Sequence, residues 1–178
     1  NGRNYNNDNT TGNPAAQATT PNGIITTNAN LMAVLDGVDD FINLGDVSTI
    51  EAQTAISFGG WIKPKSFPVN DGDVRSVVSK GDESSNSGSM LRMQFYKSDG
   101  VNKFDATLAI GNVQNTLVVD VDSTLFRYNQ WSHVFVTWQS GSKMKLYING
   151  RVVAQSFANI TGTTNNVSTP LRFGYAST

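Results

Sequence analysis

Cysteine is absent from all 178 residues, so neither a disulfide framework nor a thiolate metal site can be built. Histidine occurs once, at His133, which excludes a metal site made of several histidines. With no Gly-x-Ser-x-Gly elbow in the chain, a nucleophilic triad also lacks its parts. Glutamate occurs only at Glu51 and Glu83. Retaining glycosidases need two carboxylates roughly 5 Å apart, which on a strand reads as acidic residues at i and i+2 or i+4. The nearest approaches are Asp71-Gly72-Asp73 in a turn-forming stretch and Asp120-Val121-Asp122 at a strand end, so hydrolase or lyase activity is not expected. Charge is sparse as well: 13 basic and 14 acidic residues leave a net −1, too weak a field to gather nucleic acid or anionic lipid. No run approaches the roughly 18 apolar residues of a membrane span, so membrane insertion is not expected. No secretory leader is recognisable, and a chain opening on Asn1 reads as a processed protein or an excised piece. Apolar residues nowhere hold a helical stripe over three turns, which predicts very little helix.

Asn, Thr, Ser and Gly are abundant, and only 15% of residues are charged, a balance suited to a weakly charged extracellular, cell-surface or virion-surface domain. Three glycosylation triplets, at Asn9, Asn159 and Asn166, are compatible with that setting. Residues 1–30 are polar and without period, broken by Pro14 and Pro21. They read as an extended arm on this domain or a neighbour, with short strand pieces such as 23–26, or as a disordered leader. From Leu31 onward, short β-branched and aromatic runs recur between Gly, Asn, Asp and Ser clusters: 31–35, 40–44, 55–62, 75–80, 90–96, 104–110, 116–121, 133–138, 143–148, 151–156 and 171–175. The linkers are too short for parallel crossovers, so antiparallel pairing in two stacked sheets follows. Asn149-Gly150 between two such runs is the clearest local signal, because both residues tolerate the positive φ of a primed hairpin turn.

Five segments, in order, carry a family resemblance: 34–45 (VLDGVDDFINLG), 56–64 (ISFGGWIKP), 77–82 (VVSKGD), 131–138 with 145–150 (WSHVFVTW and KLYING), and 170–174 (PLRFG). Together they resemble the laminin G-like domains of the concanavalin A-like lectin/glucanase superfamily. The resemblance implies an all-β fold, an antiparallel two-sheet β-sandwich of the concanavalin A-like jelly-roll type, over residues 31–178. Such domains usually continue past the Leu-Arg-Phe-Gly strand into one more, central strand, so this chain is expected to lack its closing strand or to have the place filled by its arm or by another chain.

The family often holds a structural Ca²⁺, and by resemblance Asp36 and Asp39 are the candidate ligands; the alternative is that they close an Asx-type turn. Trp61, Trp131 and Trp138 lie in strongly apolar strands and read as core, and His133 as a packed histidine within the sandwich. Tyr96 and Tyr128, with Tyr175, sit at strand ends or in polar company and suit a sugar-stacking platform. Arg92 and Gln94 alternate with Leu91 and Met93, which places them on a solvent face where, with Arg75, they line a polar groove. The expected function is a non-catalytic binding or adhesion module for a glycan or a surface receptor. The alternative is a structural subunit of a virion, fibre or filament that assembles with copies of itself or other chains.

Overall fold

The computed structural model describes residues 32–36, 40–82 and 85–174. The described residues form ten strands: β1 (Ile42–Asn43), β2 (Ala55–Ile62), β3 (Val74–Gly81), β4 (Ser89–Ser98), β5 (Val101–Ile110), β6 (Val113–Asp120), β7 (Ser132–Gln139), β8 (Lys145–Ile148), β9 (Arg151–Gln155) and β10 (Leu171–Phe173). One short 3-10 turn, Ser48–Ile50, is the helical content of the described residues. The strands form a six-stranded sheet, β1-β10-β3-β4-β5-β6, and a four-stranded sheet, β2-β7-β8-β9, and every pairing is antiparallel. The expected two-sheet antiparallel sandwich is therefore what the chain forms. β10 pairs with β1 on one side and β3 on the other, so β10 itself presents no open edge. The polar arm expected over residues 1–30 lies outside the described residues.

Local chemistry explains the tight connections. Asn149 (φ 50°) and Gly150 (φ 80°) turn β8 into β9, as their tolerance of positive φ requires. The same solution recurs at Asp99-Gly100 (φ 54° and 74°) and Gly111-Asn112 (φ 57° and 63°), which join β4 to β5 and β5 to β6. Period-two alternation then sends one set of side chains inward from each sheet. Val134, Val136 and Trp138 of β7 and Leu146 and Ile148 of β8 meet Met93 and Phe95 of β4, Phe104 and Leu108 of β5 and Leu117 of β6 in one core. Phe126, from the segment before β7, closes an aromatic trio with Phe95 and Phe104, all three centroid separations being 4.9 Å.

The inward layer carries charge at Lys80, which is fully buried. Its Nζ donates to Asp46 Oδ1 (2.6 Å), Thr169 O (2.7 Å) and Val167 O (3.0 Å). One ammonium thereby joins β3 to the segments before β2 and before β10.

Candidate functional site: the outer faces of the two sheets

Directly opposed residues of an antiparallel pair share a face, so register decides which candidate residues meet. On the outer face of the six-stranded sheet, Ser76, Gln94, Asp105 and Val118 form one row and Ser79, Arg92, Thr107 and Thr116 the next. Tyr96 follows beside Lys103 and Asp120. Arg92, Gln94 and Tyr96 are thus brought together as their alternation implies. They do not line a solvated groove, however. Gln94 is buried, and its Nε2 donates to Asp105 Oδ2 at 3.0 Å. Arg92 grips the same carboxylate with Nε and Nη2, both at 3.2 Å, and reaches Thr107 Oγ1 at 3.2 Å. The reason is Asp105, which β5 places outward beside them. Burial pushes the Asp105 carboxyl above its usual range, against the opposing pull of Arg92 and Gln94. Burial first, and the Asp105 charge next, raise the Tyr96 phenol.

Arg75 does not join this group. It stands opposite Phe95, a core residue, and so leaves β3 on the other face, with Nη1 donating to the Val74 carbonyl at 3.0 Å. Tyr128 is exposed, as expected, in the segment between β6 and β7. Asp36 is exposed, and its backbone N–H donates to Asp40 Oδ2 at 3.3 Å. Asp39 lies outside the described residues. Among the described residues, no group of three or more His, Asp or Glu side chains is placed to hold a metal.

The outer face of the four-stranded sheet overturns the reading of the tryptophans. Only Trp138 is core; Trp61 is 66% exposed and Trp131 47%. In β2 the inward positions are Ile56, Phe58 and Ile62, and Trp61 falls in the opposite phase. In β7 the inward set is Ser132, Val134, Val136 and Trp138, which turns His133 and Phe135 outward. Trp61 stands opposite His133, with ring centroids 5.2 Å apart and a 56° tilt. His133 in turn stacks on Phe135 at 5.7 Å and 17°. The histidine is therefore not inside the sandwich but wedged between two surface rings. Trp61 and Trp131 line a shallow hollow of about 320 Å³, at the lower end of the roughly 300–1,000 Å³ typical of small-ligand sites. The Asn129 N–H donates to Pro64 O at 2.7 Å, tying the segment that carries Tyr128 and Trp131 to the chain just beyond β2.

The family model described as the concanavalin A-like lectin/glucanases superfamily, a laminin G type, matches residues 36–178. The chain belongs to this superfamily. Among solved structures, this superfamily member is similar to the receptor-binding domain of botulinum neurotoxin D, at 18% identity and TM-score 0.53, over 78% of this chain and 33% of that one. It is also similar to the binding domain of botulinum neurotoxin DC in complex with SialylT, at 16% identity and TM-score 0.51, over 69% and 28%. Mouse laminin alpha1 domains LG4-5 match at 11% identity and TM-score 0.47, over 71% and 29%. The chain thus spans about a third of the length of the solved structures it matches, and the likeness to the two toxin domains speaks for the fold alone. No curated protein matches significantly.

Proposed function

We propose that this chain is a non-catalytic, extracellular binding module that takes carbohydrate on the outer face of its four-stranded sheet. The observation that carries the reading is the pair of exposed indoles, Trp61 and Trp131, framing one hollow. Large apolar rings left in water side by side mark a binding surface. Indole faces suit the C–H faces of sugar rings. The fold similarity to a toxin binding domain in complex with SialylT is in keeping with this.

The non-catalytic part is supported by where the acids go. Asp46 bonds Lys80, and Glu51 lies 2.8 Å from the same ammonium. Asp105 holds Arg92 and Gln94, Asp120 pairs with Lys103, and Asp73 and Asp122 accept backbone N–H groups of their own turns. Asp46 and Glu51 do approach each other, but on one buried ammonium that neutralises both, not across an open cleft as glycoside cleavage demands.

A printed array of polysaccharides and their fragments tests the reading. Trp61→Ala and Trp131→Ala should each weaken glycan binding by about tenfold, an aromatic contact's worth of free energy. Undiminished binding by the double variant would refute the platform. A second reading, assembly with copies of itself, has one observation in its favour. Among the described residues β2 ends its sheet, and its eight residues include none of the charges or prolines that usually blunt an edge.

A further inference from the structure

The two indoles are one end of a longer strip. Phe135 stands opposite Gly59 on one side and Tyr147 on the other, and Tyr147 stands opposite Val152. All three non-glycine residues therefore share the outer face with Trp61 and His133. Gly59 matters here because it has no side chain: a Cβ at that position would lie 2.7 Å from Phe135 Cδ2, so the phenyl ring rests on the bare backbone. His133, packed on Trp61 and on Phe135, bridges the two rows. The result is a run of outward-facing apolar side chains from Trp131 to Val152, which is itself 49% exposed. Neighbouring strands lie about 4.8 Å apart, so the row from β2 to β9 is about 14 Å across before the indoles are added. That is too long for one sugar ring. The strip has no Asp, Glu, Lys or Arg side chain within it, and Ser57, Thr137, Lys145 and Gln155 bound it on the side away from the tryptophans. An uncharged partner matches a strip without charged side chains of its own, and aromatic rings in series match a chain of sugar rings.

We infer that the ligand is an internal stretch of an extended, uncharged glycan chain, with one ring over Trp61 and Trp131 and later rings over Phe135 and Tyr147. This rests on the carbohydrate-platform reading and narrows it: the site recognises chain interior, not a terminal sugar. Phe135, Tyr147 and Val152 then form a second subsite that only a longer chain reaches.

The test is calorimetric titration with whichever neutral polysaccharide the array returns, against its own short and long oligosaccharides. Affinity should rise with length. Tyr147→Ala should lose about tenfold on the long fragments and nothing on the disaccharide, whereas Trp61→Ala should lose on both. Tyr147 is a half-buried surface residue, and a circular dichroism spectrum matching the parent establishes that its variant is folded. Equal affinity for short and long fragments, with Trp61→Ala weakening both, overturns the extended-chain inference and leaves the platform standing. The same holds if only acidic glycans or capped chain ends bind. Binding of no glycan at all overturns both.

Discussion

Replacing Lys80 with methionine measures what the buried ammonium contributes, because methionine keeps most of the stem and removes the charge. In the native chain the three N–H bonds of Nζ go to Asp46, Val167 and Thr169. Glu51 Oε1 lies 2.8 Å from the same nitrogen and has no hydrogen-bond partner, so this contact is an ion pair. Exposure separates the two acids: the Asp46 side chain is 44% exposed and that of Glu51 4%. When the ammonium is removed, Asp46 turns to water at little cost. Glu51 is left buried without a counter-charge, and the Val167 carbonyl without its donor. Removing one partner of a buried pair costs about 3–5 kcal/mol. For a chain of this length each kcal/mol moves Tm by about 2–4 °C, so Lys80→Met should melt about 10 °C below the parent. The urea midpoint should fall by about 2 M, taking a slope of about 2 kcal/mol per M. The second half of the experiment is Lys80→Met with Glu51→Leu. If the damage comes from the stranded carboxylate, the double variant recovers more than half of the loss, since apolar replacement of a whole buried pair is often neutral. A single-variant loss under about 1 kcal/mol, or a double variant less stable than the single, refutes the reasoning.

Gly59→Ala should be severely destabilising, about 3 kcal/mol or more by urea unfolding, because its Cβ meets the Val134 carbonyl and the Phe135 Cα, and neither backbone atom can give way. Gly60→Ala next door meets nothing within 4 Å and should stay within about 1 kcal/mol; equal losses at the two sites refute the close approach at Gly59. In Tm against pH, Asp122 and Asp105 should act in opposite directions. Bonds from the Thr124 hydroxyl and the Thr124 and Leu125 N–H groups hold Asp122 below 3.8, so its stabilisation is present above that value and fades as pH falls below it. Asp122→Asn should therefore flatten the acid limb, and an unchanged limb refutes the assignment. Asp105 is raised by burial, so between 3.8 and its raised value the folded state binds more protons and stability falls as pH rises.

What the chain shows openly is what short-range rules determine. Asn149-Gly150 marks its hairpin because positive φ is a property of two adjacent residues, and the sandwich follows from short alternating runs that cannot cross over. The same alternation held the outward aromatic face, and it was legible. Val134, Val136 and Trp138 in one phase require Trp131, His133 and Phe135 in the other, and Ile56, Phe58 and Ile62 require Trp61 outward. Reading the tryptophans by their apolar company instead of by their phase sends two of three into the core. The pairing of the polar residues is a different matter. Arg92 and Asp105 are thirteen residues apart and Lys80 and Asp46 thirty-four, on separate strands or segments whose register no local pattern sets. Alternation says that Gln94 faces outward. It takes the β4–β5 register to say that a carboxylate waits there, and so that this face pairs its own charges while the indoles Trp61 and Trp131 of the other sheet's face stay exposed.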